Sequence, residues 1–218
     1  MRRLLVALSA LLALAVAAPA IVAAQDTTPA GDVARTDIRY FLPFTPDGLN
    51  PGLTASENEN AVCGFSSAAV LDRPDAWDCI GDNNQIYDPC FENPFTLPDE
   101  LGEMACAASP FTTDVTLLTL TEPLVREKEQ DAGMVPDTSV DSIAAWDLPW
   151  ALELANGDQC TLLHGTLTVM AGQTVHYGCV NGGMVLGETD RGLPVWTVSY
   201  LAEGEFASNL VEVTVAWS

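Results

Sequence analysis

The residues best equipped for chemistry lie together between Asp72 and Pro94, in the run DRPDAWDCIGDNNQIYDPCFENP. Asp72, Asp75, Asp78, Asp82 and Asp88 supply carboxylates, Asn83 and Asn84 supply amides, and Trp77 and Tyr87 supply aromatic faces. Three chemistries suit such a set. Calcium is a hard cation that takes 6–8 oxygen ligands. A pair of carboxylates performs general acid/base cleavage of a glycoside, with aromatic rings stacked on the sugar. The same side chains also recognise a ligand without catalysis, and the candidate contacts are then Trp77, Tyr87, Asp75, Asp78 and Asp88. Each acid also has a plainer local role. Asp72 suits the cap of a helix whose first turn holds Pro74, and Asp75 and Asp78 suit its positive end. Gly81-Asp82-Asn83-Asn84 reads as a turn, and Asp88 precedes Pro89 as an extended or turn residue. The order of ligands in an EF-hand loop is absent, so the cofactor expectation is none, with calcium as the alternative. No metal is assigned.

Other reactive constellations are missing from the sequence. His164 and His176 are its two histidines. There is no G-x-S-x-G elbow, no C-x-x-C pair and no glycine-rich phosphate loop, so nucleophilic hydrolysis, dithiol redox chemistry and nucleotide binding lack their usual signatures. A two-residue turn at Ala171-Gly172 would put His176 opposite Leu167 and the two imidazoles on opposite sheet faces, which disfavours a two-histidine metal site.

Six cysteines, an even number, read as three disulfides in an exported chain. The local pairs Cys63–Cys79, Cys90–Cys106 and Cys160–Cys179 each close a short loop. The alternative for the first four nests Cys79–Cys90 inside Cys63–Cys106. One difficulty attends Cys160–Cys179. The two-residue turn at Ala171-Gly172 places His164, not Cys160, opposite Cys179, and four residues of strand span about 13 Å, too far for a disulfide. A longer loop, a bulge at Gly165 or a different pairing would resolve it.

Export follows from the N-terminus. Arg2 and Arg3 precede an apolar run from Leu4 to Ala17, and Val22 and Ala24 are small residues before Gln25, which together predict a signal peptide over residues 1–24. The apolar run is shorter than the roughly 20 residues of a spanning helix, so the expected location is secreted or extracellular, with no membrane span in the mature chain. The full chain has a net charge of −22. Cleavage removes two arginines and no acids, so the 8 basic side chains fall to 6 against 30 acidic ones, a net charge of −24. Such a surface repels phosphate backbones and excludes nucleic acid as a partner. It suits a basic extracellular ligand, and cell-wall or carbohydrate material remains open through the aromatics.

Residues 25–56 are rich in turn formers and read as a flexible leader or extended arm, followed by one secreted globular domain over 57–218. Its part from 57 to 108 carries four cysteines. There ENENAVCGFSSAAVL, DRPDAW and PDELGEMACAA suggest short helices among loops. The part from 112 to 218 is strand-like. Asn156-Gly157 favours a type I′ hairpin, and VEVTVAW places Val211, Val213, Val215 and Trp217 on one buried face. Trp146, Trp150 and Trp196 recur along it, as core residues or as an exposed aromatic row. The expected fold is mainly β, α+β at most. A C-terminal antiparallel meander forms a small barrel or sandwich beside a disulfide-clamped N-terminal half of short helices and loops.

As a set, RPDAWDC, IYDPCF, PWALELANGDQC, HYGC and PVWTVSY resemble a group of exported bacterial proteins, over about residues 63–107 and 147–200. The resemblance implies a secreted, disulfide-bonded module and brings no activity or catalytic residue with it. The group's pattern expects a basic residue before the cysteine of RPDAWxC, where this chain has Asp78. The functional expectation is a non-enzymatic extracellular or envelope-associated binding module. The alternatives are a secreted carboxylate-dependent hydrolase and a calcium-stabilised module.

Overall fold

Alternation of buried and exposed residues begins at Asn60. In Ala61-Val62-Cys63 the outer two side chains are buried and Val62 is exposed, which is the period of a strand with one solvated face. The computed structural model describes residues 34–70, 73–97, 100–124, 148–164 and 167–218. The expected signal peptide, the expected leader up to Val33, the expected cap Asp72, Trp146 and the expected loop over 125–145 lie outside the described residues. Among the described residues there is no α-helix.

An N-terminal arm contributes β1 (Asp37–Arg39) and the small hairpin β2 (Phe44–Thr45) and β3 (Gly48–Leu49). Then follow β4 (Thr54–Ser66), β5 (Ala76–Gly81), β6 (Ile86–Glu92), β7 (Glu103–Cys106) and β8 (Asp114–Leu120). These five close a barrel, because β4 pairs antiparallel with β5 and parallel with β8. The remaining strands are β9 (Ala151–Leu154), β10 (Gln159–Leu162), β11 (Val169–Met170), β12 (Gln173–Cys179), β13 (Met184–Asp190), β14 (Trp196–Leu201) and β15 (Asn209–Trp217). From β12 to β15 they form an antiparallel meander. Pairing of β15 with β9 closes a second ring, and β1 adds to β15 in parallel.

The disulfide-clamped half is therefore a barrel of strands and not a set of short helices. The segments read as helical, from Glu57 and from Glu103, are β4 and β7. Helix propensity loses here because the inward positions Ala61, Cys63, Cys79, Cys90 and Cys106 recur every second residue or lie directly across from one another. The barrel boundary also lies further along the chain than residue 108, since β8 completes the first barrel, and β4 begins inside the stretch read as an arm.

All three disulfides join neighbouring strands: Cys63–Cys79 links β4 to β5, Cys90–Cys106 links β6 to β7, and Cys160–Cys179 links β10 to β12. These are the three local pairings favoured on sequence. The first two closures bracket loops with a sequence separation of 16 and the third one of 19. Each constrains the unfolded chain by about 3 kcal/mol on the chain-entropy account. Three disulfides fit an oxidising compartment, and among the described residues no helix is long and apolar enough to cross a membrane.

The register difficulty is resolved by an excursion. Ala171 and Gly172, both at positive φ, form the expected two-residue turn, with Met170 opposite Gln173. Thr168 then bonds Val175, but the next partner, facing His176, is Leu163. The register changes by four between these two pairs, which brings Cys160 opposite Cys179. His176 accordingly faces Leu163 and not Leu167. At Asn156-Gly157 only the glycine has positive φ, and the loop holds three residues, Ala155 to Gly157, between Leu154 and Asp158. It is not a type I′ turn. A register shift between Val213 and Val215 ends the expected alternation on β15. Past it Ala216 joins the barrel core, while Trp217 turns outward against Phe111 and Arg39.

The two barrels meet on Phe41, Phe91 and Trp150, whose ring centroids lie 5.2–5.5 Å apart, with Ala69, Val70, Ala76 and Val115 around them. Arg73 is buried beside this cluster. Its guanidinium lies 4.5 Å from the Phe91 ring centroid, donates to the backbone oxygens of Phe41 at 2.6 Å and Ser218 at 3.2 Å, and forms a two-pronged ion pair with Asp75. One side chain thus ties the arm, the end of β15 and the start of β5 together. Replacing Arg73 by Met removes the guanidinium donor from the Phe41 carbonyl, leaves the Ser218 carbonyl with the Phe41 amide alone, and leaves Asp75 without this cation. The expected loss is about 3 kcal/mol of unfolding free energy in urea titration. Asp75→Asn should cost less, because the Asp75 side chain is 40% exposed.

Candidate functional site

The five side chains singled out in the sequence do not converge. Trp77 is 3% exposed and packs inside the first barrel with Cys63, Cys79 and Met104. Tyr87 packs against the same core. Its ring lies so close to Gly81 that a Cβ there would sit 2.9 Å from Cε2, and its hydroxyl bonds Asn83 and Gln85 of the β5–β6 turn. Asp75 is held by Arg73. Only Asp78 and Asp88 are neighbours on the outer face of the barrel.

Two β-bulges build that face. Cys63 lies opposite Cys79, but Phe65 lies opposite Asp78, so β4 carries one extra residue at Gly64. Without it Phe65 would follow Ala61 and Cys63 inward; with it the ring points out and is 63% exposed. On the other side of β5, Trp77 lies opposite Cys90 and Cys79 opposite Tyr87, so β6 carries an extra residue at Asp88-Pro89. Both bulges flank Asp78. Bulges re-aim single side chains, and here they set Phe65, Asp78 and Asp88 in one row across three strands.

One pleat further along lies an apolar row. Val62 is directly opposite Ile80 and Ile80 directly opposite Ile86, and directly opposed residues share a face. Their exposures are 41%, 51% and 70%. Asp82, exposed in the turn beyond Ile80, stands on the far side of this row. The sequence reading missed Val62, Phe65, Ile80 and Ile86. For Val62 and Ile80 the available signal was their position between buried odd-numbered neighbours, which is legible only once β4 and β5 are taken as strands; Phe65 and Ile86 carry no such signal.

The electrostatics of the face centre on two carboxylates. Asp88 accepts hydrogen bonds from the Ser67 hydroxyl and, at 3.0 Å, from the Ala68 amide. Ser67 is itself fixed by accepting from the Ala69 and Val70 amides, each at 3.0 Å. Partial burial and the nearby Asp88 charge raise the Asp78 pKa, and His164 offsets part of that rise. His164, which follows β10, thus stands in the field of the first barrel.

A second polar cluster serves the second barrel. Asp158, 3% exposed, accepts from the amides of Gln159 and Asn181, the Asn181 side chain and, at 2.7 Å, the Tyr200 hydroxyl. Its carboxylate approaches the sulfurs of Cys160 and Cys179, but these are joined to each other and the carboxylate is fully engaged, so the group is structural and holds no metal. Gly183 makes room for Tyr200, since a Cβ there would lie 2.2 Å from its hydroxyl oxygen. His176 is remote from this cluster in role; burial lowers its pKa, and Glu188 works against the shift. Trp150 is core, and Trp196 is half-buried under Arg191, so neither belongs to an exposed aromatic row.

No protein-family model, curated protein or solved structure matches the chain.

Two titrations check these assignments. The hydrogen bond to Asp158, burial and the Asp158 charge raise the Tyr200 pKa to about 12. Ultraviolet difference titration should show a late-titrating tyrosine that Asp158→Asn shifts down toward the ordinary range. Asp78 is opposite in consequence. Its raised pKa means that the protonated form is favoured by folding, so its contribution is fully present in acid and is lost as pH rises through the folded pKa. Asp78→Asn should therefore raise the urea midpoint at neutral pH and leave it unchanged near pH 3.

Proposed function

We propose that the protein is an exported, non-enzymatic binding module whose ligand surface is the outer face of β4, β5 and β6, and whose ligand is basic. The observation that carries this reading is the bulge at Gly64, which turns Phe65 out of the core and sets it beside Asp78 and the Val62–Ile80–Ile86 row. A large aromatic exposed by a dedicated bulge, next to three exposed aliphatic residues, is costly in water unless a partner covers it. The acids on both sides of the apolar row and the net charge of −22 favour a cationic partner. Two disulfides inside the same barrel hold the face rigid before the ligand arrives, which lowers the entropy cost of binding.

Retention assays distinguish the ligand classes. Immobilised protein should retain polylysine at low salt and release it as ionic strength rises, while cell-wall polysaccharide and neutral polymers pass through. Ile80→Ser and the triple substitution of Asp78, Asp82 and Asp88 by Asn should each weaken retention at least fivefold. Retention that is indifferent to all four substitutions would overturn the assignment of this face.

One observation favours a second reading. A carboxyl with a raised pKa beside a carboxylate held by hydrogen bonds is the arrangement of a general acid and its partner. Asp78 would be the acid and Asp88 the base or nucleophile of a glycoside hydrolase. Any hydrolysis detected with polysaccharide substrates should then vanish in both Asp78→Asn and Asp88→Asn. Survival in either variant removes that reading.

A further inference from the structure

We infer that the partner of this face is an amphipathic cationic helix lying across the strands. The inference rests on the binding face proposed above and adds the shape of the ligand. The apolar row crosses three strands, and two interstrand steps of about 4.8 Å make it about 10 Å long. Apolar side chains at positions i, i+3 or i+4, and i+7 of an α-helix span about 10.5 Å along the axis. One such helix therefore sets one apolar residue against each of Val62, Ile80 and Ile86, with its axis along the row.

The charges then fall where a helix of this kind needs them. Asp82 stands two residues beyond Ile80 on one side of the row, and Asp78 two residues before it on the other, with Asp88 beside Asp78. Two residues of strand correspond to about 7 Å, close to the distance from the apolar ridge of a helix to its flanks. An amphipathic cationic helix carries its lysines and arginines on both flanks of the apolar stripe. An extended strand does not, because its side chains alternate between two faces and present one row to the surface. Phe65, on the Asp78 side, would cover the end of the helix stripe nearest β4. Anionic membranes and nucleic acids are unsuitable partners for the same carboxylates.

The test uses the full folded protein and two synthetic peptides of identical leucine and lysine composition. In one, leucines recur at i, i+3, i+4 and i+7; in the other the order is permuted so that no helical face is apolar. Fluorescence anisotropy with labelled peptides should give at least tenfold tighter binding for the periodic peptide. Ile80→Ser should weaken it at least fivefold, and the triple Asp78, Asp82, Asp88 to Asn substitution should flatten its salt dependence. Leu210→Ser, at an exposed position on β15, should leave it unchanged. Circular dichroism of the bound peptide should report helix. Equal affinity of the two peptides, both still sensitive to Ile80→Ser, overturns the helical partner and leaves the basic-ligand face standing. Binding insensitive to Ile80→Ser, or no binding of either peptide or of polylysine, overturns both.

Discussion

The guanidinium of Arg73 sits where the N-terminal arm, the first barrel and the last strand of the second barrel come together. It is 8% exposed, and every donor direction of its planar fork that the structure uses is directed at a partner: Asp75 in the plane, two backbone oxygens at one edge, and the Phe91 ring below. A lysine would offer a compact charge and no such fork. The cost of burying the charge is offset by the ion pair with Asp75 and by the donors it gives the Phe41 carbonyl and, beside the Phe41 amide, the Ser218 carbonyl. Phe41 is thereby held against Phe91 and Trp150, and the apolar cluster between the barrels closes around them. Thr36 repeats the device further up the arm. Its hydroxyl donates to the Val213 oxygen at 2.7 Å and accepts from the Trp196 amide at 2.8 Å, which fills the place beside β15 where β14 begins and β1 is about to begin.

With the barrels fixed in this way, irregularities in the strands acquire a use. A regular β4 would bury Phe65. The extra residues at Gly64 and at Asp88-Pro89 undo the alternation at the same level on both neighbours of β5. The result is a face whose chemistry is carried by three strands and whose rigidity comes from disulfides on its inner side. His164, just beyond β10, adds a charge from a different chain segment. These are departures from local regularity that no core requirement explains, and such departures gather where a surface has work beyond folding.

The second barrel spends its polar residues differently. Asp158 gathers four donors from the turns at one end of the barrel, and the glycine at 183 yields space so that Tyr200 can reach it. A buried carboxylate with its lone pairs occupied stabilises the turns that surround it and has no capacity left for a ligand. Asp158 and Asp78 are thus two carboxylates of one very acidic chain with separate uses. One is consumed by the fold, and the other is left partly exposed with its charge opposed by a neighbour.

Much of this was legible in the residues themselves. The cysteine spacing favoured the three local disulfides, and the alternating stretches PVWTVSYL and NLVEVTVAW marked strands of the meander. Trp77 and Asp75 drew attention by type, but their use was set by what they met: a barrel interior for the ring and a buried guanidinium for the carboxylate. The first half was read as helical because Asp72, Pro74 and Asp75 mimic a helix start, and the alternation in AVCGF is broken by the very bulge that makes the site. A bulge is invisible locally, since it is defined by the partner strand and not by its own sequence. For the same reason the sequence determined which residues are apolar, charged or crosslinked, because these are properties of single side chains and their spacing. Register, barrel closure and the pairing of Phe65 with Asp78 and of Ile80 with Val62 and Ile86 were decided only in the tertiary structure, because each depends on contacts between strands that the chain brings together from a distance.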